Sequence, residues 1–206
     1  MKHQEKMWDK IYQDEGDKWN KESLSLPNVL RNKSVLELGV GNGKTLKAIL
    51  RQKPKEVIAI DFSKGAIELC KRKFDKIGCF KLIEGDVRDM PFEDDYFDYI
   101  ICYYILNNLL EKDRKKAVVE IFRVLKKNGK VLFEDFAEGD FREKGEVIEK
   151  NTRFKKNGLM CHFFSEIELK KLFNECSSFK AKIKVSRPIK GKPHLIRRIF
   201  LAEIKK

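Results

Sequence analysis

The sequence predicts an α/β fold, namely a doubly wound, mainly parallel seven-stranded sheet with helices on both faces and a C-terminal antiparallel hairpin. Five strand-like runs alternate with segments whose apolar residues recur at three- and four-residue spacing, as in helices packed on a parallel sheet. Two further strand-like runs then follow each other across a short connection, which is typical of a hairpin. No internal repeat or linker interrupts this pattern.

The element boundaries follow from the apolar runs and from turn and cap residues. The alternating strands are expected at 34–40, 56–62, 80–86, 97–106 and 129–137, and the hairpin strands at 179–189 and 194–204. Ser165 and Glu168 form a capping box that predicts the start of a late helix. Gly78 and the KNG sequence at 127–129 predict the ends of two earlier helices.

The length and composition favour one domain spanning residues 1–206. No apolar run approaches the roughly 18 residues that a membrane-spanning helix needs. The N-terminus is too polar for a signal peptide. Five cysteines without a CxxC pair predict reduced thiols and a cytoplasmic location, with neither a disulfide framework nor a metal site.

The positive charge is concentrated in the last quarter of the chain. Residues 151–206 contain 15 Lys or Arg and 4 Asp or Glu, which gives +11 of the total formal charge of +13. This asymmetry favours an anionic partner for the C-terminal part. A solvated, lysine-rich surface is the alternative interpretation, although such surfaces usually carry matching glutamates that this segment lacks.

The stretch VLELGVGNGKTL at 35–46 predicts a ligand-binding turn. A P-loop would need a glycine at Leu38, and a strict dinucleotide turn would need one at Lys44, so neither pattern fits. What remains is a strand ending in an acidic residue, followed by a glycine-rich entry into a helix. Glycines let the backbone pass close to a ligand. The residues concerned are Glu37, Gly39, Gly41 and Gly43.

Carboxylates also follow the next two strands. Asp61 ends the second strand, where it can accept hydrogen bonds from both hydroxyls of a ribose. Asp86 ends the third strand, in position to accept from an adenine amino group. Ordinary turn carboxylates are the alternative interpretation of each. Together with the glycine-rich turn they predict a nucleoside-binding edge of the sheet.

These motifs resemble class I S-adenosylmethionine-dependent methyltransferases, in the broad group that includes ubiquinone-biosynthesis-type enzymes. VLELGVGNG is similar to the family's glycine-rich motif, IDFSKGAIELC to its ribose motif, and GDVRDMPFEDDYFDYIICYYIL to its adenine motif with the fourth strand. The resemblance implies S-adenosylmethionine as cofactor and S-adenosylhomocysteine as product. It also implies an N-terminal helical cap over 1–33, a cofactor-binding half over 34–137, and a substrate-side helix with the hairpin over 138–206.

The resemblance also implies roles for individual residues. On the sheet, the family's pattern assigns the methionine end of the cofactor to Glu37, Gly39 and Gly41, and the ribose to Asp61. It assigns the adenine to Phe62, Asp86 and Val87. The cofactor's ammonium group would contact the Cys102 carbonyl. Before the first strand, an aromatic helix would close over the cofactor, with rings against the sulfonium cation. Ordinary helix-packing aromatics are an equally good interpretation of these three residues, Trp8, Tyr12 and Trp19.

The catalytic residue stays unassigned. The family often has two histidines after the fourth strand, where this chain has Asn107 and Asn108. A general base is optional in methyl transfer, because the enzyme mainly aligns the reactants and excludes water. The candidate bases are Glu134, Asp135, Tyr103, Tyr104 and His162, the last of which is more often a structural histidine.

The methyl acceptor stays open as well. The basic C-terminal part with its interleaved phenylalanines favours tRNA or another anionic acceptor. If the acceptor is tRNA, an activating protein partner is expected too, because the late segment resembles methyltransferases of modified wobble uridine. A small metabolite as acceptor and a non-catalytic S-adenosylmethionine-binding subunit are the alternatives. A nucleotide-dependent oxidoreductase would need the glycine that Lys44 replaces.

Overall fold

A computed structural model describes residues 2–15, 26–75, 79–187 and 192–206. The helices are α1 (Lys2–Glu15), α2 (Lys44–Leu50), α3 (Lys64–Phe74), α4 (Glu111–Val124) and α5 (Glu166–Leu172), with a 3₁₀ turn at Leu106–Asn108. The strands are β1 (Ser34–Leu38), β2 (Glu56–Asp61), β3 (Phe80–Glu84), β4 (Phe97–Tyr103), β5 (Leu125–Phe136), β6 (Glu146–Glu149), β7 (Thr152–Phe154), β8 (Met160–His162), β9 (Ser178–Ser186) and β10 (Arg197–Lys205).

Seven strands form the main sheet in the order β3-β2-β1-β4-β5-β10-β9. The first five in this order pair in parallel, whereas β10 is antiparallel to both of its neighbours. The predicted fold class is therefore confirmed. All the carboxyl ends of the parallel strands lie at one edge, and the chain order reverses direction between β1 and β4, where open α/β sheets bind ligands.

Helices cover the sheet on both faces. Leu46 of α2 and Cys70 of α3 are fully buried in one cluster with Ile101 of β4. Ile121 of α4 is buried in a second cluster, on the other face, with Ile100 of β4. The alternation of Ile100 and Ile101 between clusters is the two-residue period of a strand buried on both faces. In the described part of the chain, no helix is long and apolar enough to cross a membrane.

Helix α4 ends earlier than its predicted C-cap. The chain passes directly from Val124 into β5, because Leu125 is buried and pairs with Phe97. The predicted stop at 127–129 therefore lies within β5, where Asn128 adopts a positive φ of 64°. Gly78, the other predicted helix end, lies outside the described residues.

A second, three-stranded antiparallel sheet, β6-β7-β8, lies between β5 and α5. This sheet was not predicted from the sequence, because its strands are three or four residues long and lack a clear apolar alternation. The helix and hairpin predicted after it are present. The Ser165 side chain caps α5 by accepting a 3.2 Å hydrogen bond from the Glu168 N–H.

Candidate functional site

A cleft opens at the carboxyl edge of the parallel strands. Three parts of the chain form its wall: one face of α1, the ends of β1 to β3, and the segment after β4. Its lining residues are Gln4, Trp8, Tyr12, Gly39, Ile60, Asp61, Phe62, Asp86, Val87, Tyr104, Ile105, Asn108 and Leu109.

The glycine-rich turn between β1 and α2 has no room for side chains. Gly39 and Gly41 have positive φ angles of 71° and 50°, which favour glycine. A Cβ on Gly39 would lie 2.0 Å from Cδ1 of Ile105, and one on Gly41 would lie 2.8 Å from the Tyr12 hydroxyl oxygen. The turn therefore brings bare backbone to the cleft, as predicted for a turn that passes close to a ligand.

Asp61 joins the glycine-rich turn to the end of β2. Its Oδ2 accepts a 2.9 Å hydrogen bond from the Gly41 N–H, and its Oδ1 accepts one of 2.9 Å from the Ser63 N–H. Burial raises the pKa of Asp61 to about 6, although these two N–H groups partly offset the effect. Each oxygen keeps one lone pair, so the carboxylate can still accept from two ligand hydroxyls.

Glu37 lies behind the turn and does not line the cleft. It is 1% exposed, and neither of its carboxylate oxygens has a hydrogen bond of normal geometry within the described residues. Burial and then the charge of Asp61 raise its pKa well above the ordinary value, with a small offset from the nearby Leu46 N–H. A buried carboxyl group without a partner is costly, which is typical of a site that a ligand or water completes.

Asp86 reaches the cleft from the end of β3 but is engaged by Arg88. The Arg88 guanidinium donates to both Asp86 oxygens, at 2.5 Å for Nη2 to Oδ2, and also contacts Asp113 at 2.8 Å. Burial acts to raise the pKa of Asp86, but the Arg88 hydrogen bonds outweigh it and hold the pKa below its ordinary value. Asp86 therefore stays ionised at neutral pH, and its predicted contact with adenine depends on the lone pairs that Arg88 leaves.

Helix α1 lies across the cleft and is attached at two places. Asp9 Oδ1 accepts from the Ser63 hydroxyl at 2.6 Å and from the Gly65 N–H at 3.0 Å, which fixes α1 to the start of α3. Gln4 donates to the Gly158 carbonyl at 2.8 Å and accepts from the Met160 N–H at 3.2 Å, which fixes it to the β7–β8 hairpin. The second sheet therefore supports the N-terminal helix that lines the cleft.

Aromatic rings of α1 face this cleft. Trp8 and Tyr12 line it and stack on each other, with centroids 5.7 Å apart and ring planes 20° apart. Tyr12 lies over Gly41, and burial followed by the charge of Asp61 raises its pKa well above the ordinary value. Tyr12 is therefore neutral at physiological pH. Trp19, the third predicted aromatic residue, lies outside the described residues.

The segment after β4 contributes the remaining wall. Tyr104 lines the cleft and donates a 2.5 Å hydrogen bond from its hydroxyl to Glu134 Oε1. Burial, followed by the charge of Glu134, raises the pKa of Tyr104 far above its usual range. Tyr103 is buried and its pKa is raised in the same way. Neither phenol is a strong base candidate, because neither ionises near neutral pH.

His162 and Asp135 lie in structural networks away from the cleft. His162 is 1% exposed, and its ring nitrogens contact the Thr152 hydroxyl at 2.7 Å and the Glu168 carboxylate at 2.9 Å. Asp135 is fully buried and accepts from the N–H groups of Asn107 and of the following residue. Neither lines the cleft, which favours the structural interpretation of His162.

Comparison with known proteins agrees with this geometry. The methyltransferase domain family matches residues 36–133, which include the glycine-rich turn, Asp61, Asp86 and β4. The chain therefore resembles the class I S-adenosylmethionine-dependent methyltransferases and has their fold. Its fold is shared with a Burkholderia thailandensis 1,6-didemethyltoxoflavin N1-methyltransferase solved with S-adenosylhomocysteine, at a TM-score of 0.74 and 18% identity over 100% of this chain and 88% of that one.

Two relatives of the chain are named for different acceptors. A tRNA N(3)-methylcytidine methyltransferase of Drosophila melanogaster is 28% identical over 77% of this chain and 53% of its own length. A demethylmenaquinone methyltransferase of Clavibacter sepedonicus is 33% identical over 50% of this chain and 41% of its own length. The chain spans about half the length of the curated relatives it matches.

The cofactor of this methyltransferase family fits the residues of the cleft. Bare backbone at the glycine-rich turn, a carboxylate with two available lone pairs, and aromatic faces on α1 are what a nucleoside with a sulfonium tail requires. Seven of the eleven residues predicted to bind it line the cleft, namely Trp8, Tyr12, Gly39, Asp61, Phe62, Asp86 and Val87. Glu37, Gly41 and Cys102 lie behind that wall, so their roles stay predictions.

Several wall residues were not predicted from the sequence. Gln4 lies one helical turn before Trp8 and two before Tyr12, so the four-residue spacing of a helix face could have identified it. Ile105, Asn108 and Leu109 follow β4 in a segment without periodicity, and only the folded chain places them at the cleft.

Proposed function

We propose that the protein transfers the methyl group of S-adenosylmethionine to an acceptor in tRNA. The observation that carries methyl transfer is Asp61, a buried carboxylate that faces the cleft at the glycine-rich turn. When bound, the cofactor supplies an electrophilic methyl group on a positively charged sulfur. The protein has to hold that group, orient the acceptor and exclude water.

The residues of the cleft suit these tasks. Asp61 would anchor the ribose, while the stacked rings of Trp8 and Tyr12 would cover the cofactor and lie close to its positive charge. Helix α1, attached at both ends of the cleft by Asp9 and Gln4, would shield the reacting groups from solvent. In-line transfer needs no general base when the acceptor atom carries a free lone pair.

A basic surface on the edge strand β9 supports an RNA acceptor. Lys180, Lys182 and Lys184 are exposed, and the two-residue period of the strand places them on one face about 7 Å apart. None of the three forms a salt bridge within the described ranges. We name these three residues the β9 lysines. A regular row of unpaired cations suits the regular charges of a nucleic acid backbone.

The relatives support the same acceptor. Several tRNA cytidine methyltransferases match the chain across about four fifths of its length. The activating protein partner expected for a tRNA enzyme stays a prediction.

The test is transfer of a labelled methyl group from S-adenosylmethionine into a whole-cell extract that is then separated into RNA, protein and small molecules. Label in tRNA supports the proposal. Label in a small molecule alone would favour a metabolite enzyme, in line with the menaquinone-related relative. No label in any fraction, with normal cofactor binding, would favour a non-catalytic subunit.

RNA binding tests the surface separately. Changing the β9 lysines to glutamate should weaken tRNA binding and flatten its log–log salt dependence, whose slope is roughly −0.7 to −0.9 per phosphate contacted. The matched control changes Lys33, Lys53 and Lys55, three exposed lysines just before β1 and β2, to glutamate. Both variants change the net charge by the same amount. Equal losses of tRNA binding in the two variants would therefore mean that overall charge, and not the position of the β9 lysines, causes the effect.

A further inference from the structure

A tyrosine–carboxylate pair lies beside the cleft where β4 and β5 end. The Tyr104 hydroxyl donates to Oε1 of Glu134 at 2.5 Å, and Tyr104 lines the cleft. Glu134 is 5% exposed, and its Oε2 is buried with no hydrogen-bond partner among the residues that the structure describes. A buried carboxylate oxygen without a partner is costly, and such groups are retained where they have a functional role.

The backbone holds Tyr104 firmly in an unfavourable conformation. Its φ of 58° lies in the left-handed region, which is strained for a residue with a large side chain. The Tyr104 N–H donates to the Glu134 carbonyl at 2.8 Å, and its own carbonyl accepts from the Asn108 side chain at 2.8 Å. Its ring also packs against Phe136, with centroids 5.0 Å apart. Strain of this kind concentrates at ligand sites.

The charged and titratable groups around Glu134 come from five elements of the fold. Tyr103 and Tyr104 approach it from β4 and the segment that follows, and Asp135 neighbours it on β5. Lys184, Lys44 and Arg197 approach it from β9, α2 and β10. Burial raises the pKa of Glu134, while the Tyr104 hydrogen bond and the three cations act against it.

We propose that Tyr104 contacts the methyl acceptor and that Glu134, acting through Tyr104, selects an acceptor whose nucleophile is a neutral ring nitrogen next to an N–H donor. The proposal rests on the methyl transfer proposed above and names the acceptor's chemical class. Because the Tyr104 hydrogen is committed to Glu134, the phenol oxygen accepts from the acceptor's N–H. An anionic nucleophile would meet the like charge of Glu134 in a poorly hydrated site.

Methyl transfer changes the charge of the acceptor, which explains the presence of the Glu134 carboxylate behind Tyr104. The acceptor gains a carbon–nitrogen bond and one positive charge, while the methyl–sulfur bond of the donor breaks and its electron pair stays on sulfur. No proton has to leave in this step. Glu134 is a positioning residue whose negative charge, one hydrogen bond behind the Tyr104 phenol, favours the developing positive charge on the acceptor over the acceptor's neutral ground state.

Binding without turnover gives the first test. Calorimetry, with S-adenosylhomocysteine present, compares neutral cytidine with cationic 3-methylcytidine as probes. The wild-type protein should prefer the cation about 10- to 100-fold, the effect of one charge-assisted interaction, and Glu134→Gln should lose that preference. The same preference in the wild type and in Glu134→Gln would overturn the proposal.

Turnover of unmodified tRNA transcripts at saturating S-adenosylmethionine gives the second test. Tyr104→Phe and Glu134→Gln should each lower kcat about 10- to 100-fold with little change in KM. Because the reaction uses the Glu134 carboxylate, wild-type kcat should fall as the pH drops through its raised pKa, and this acid limb should be absent in Glu134→Gln.

A second tyrosine–glutamate pair provides the matched control. The Tyr96 hydroxyl donates to Glu56 Oε2 at 3.1 Å, at the amino edge of the same sheet. Tyr96→Phe and Glu56→Gln should keep wild-type kcat and pH dependence. If tRNA is methylated and the Tyr104 and Glu134 variants match these controls, the inference fails. If only a small neutral nitrogen base is methylated, and both variants impair that reaction, the tRNA proposal fails and the inference stands.

Discussion

Removing the Asp61 side chain should weaken cofactor binding by an amount that follows from the hydrogen bonds that its carboxylate can accept. The carboxylate is 6% exposed, and each of its oxygens keeps a lone pair beyond the backbone N–H that it accepts. Losing charge-assisted hydrogen bonds to the ribose costs about 1–3 kcal/mol, so Asp61→Ala should reduce affinity for S-adenosylmethionine and S-adenosylhomocysteine about 5- to 150-fold. Isothermal titration calorimetry measures this directly.

The same residue predicts how binding depends on pH. Because burial raises the pKa of Asp61 to about 6, the carboxylate is charged at pH 7 and becomes protonated as the pH falls through 6. Only the charged form accepts from both ribose hydroxyls. The affinity of the wild-type protein for the cofactor should therefore decrease as the pH is lowered below 6, by at most about tenfold per pH unit. Asp61→Ala lacks the carboxylate, so its affinity should not show this decrease.

Asp98 provides the matched control for this prediction. It accepts hydrogen bonds from the Ser34 backbone and hydroxyl, each at 2.8 Å, but at the opposite edge of the sheet. Asp98→Ala should lower stability and leave cofactor affinity unchanged. Wild-type affinity in a folded Asp61→Ala variant would refute the ribose assignment, and tight NADH binding would refute the cofactor.

Three further predictions concern the glycine-rich turn, helix α1 and the hydrogen-bond network of His162. Gly41→Ala combines a positive φ with a Cβ 2.8 Å from the Tyr12 hydroxyl, so it should cost about 1–3 kcal/mol in stability by urea denaturation and weaken cofactor binding. Gln4→Ala removes two hydrogen bonds to the β7–β8 hairpin, each worth about 0.5–1.5 kcal/mol, so stopped-flow fluorescence should show faster cofactor release; an unchanged rate would contradict the shielding role of α1. His162→Ala leaves Glu168 without its 2.9 Å partner, so thermal denaturation should show a loss of about 1–3 kcal/mol, whereas loss of the alkaline or acid limb of kcat would contradict the structural role.

The sequence predicted the main sheet because its signals are local. Buried strands such as β4 are continuous apolar runs. The glycine-rich turn is also a local signal, because its positive φ angles require glycine at those positions. The β6-β7-β8 sheet gave no such signal. Its stability comes from contacts with distant residues, such as the hydrogen bonds between Gln4 and the chain at 158–160, which no window of sequence contains.

The candidate site divides in the same way. Asp61 and Asp86 were predicted because strand ends in a parallel sheet must meet at one edge. The partners of these residues could not be predicted from the sequence. Arg88 lies two residues from Asp86, but its simultaneous contact with Asp113 depends on how α4 packs on the sheet. The pairing of Tyr104 with Glu134 also requires the register between β4 and β5, which sequence periodicity leaves undetermined.

The β9 lysines have a consequence for how copies of the protein behave in concentrated solution. β9 is the last strand of the sheet, and within the described ranges no strand pairs with its outer edge. Its other face exposes Ile183 and Val185, at 36% and 56%. Such an edge invites addition of a strand from another molecule, and regularly spaced charges prevent it. Lysine-to-alanine changes there would therefore promote aggregation, whereas lysine-to-glutamate changes keep the charge that separates the molecules.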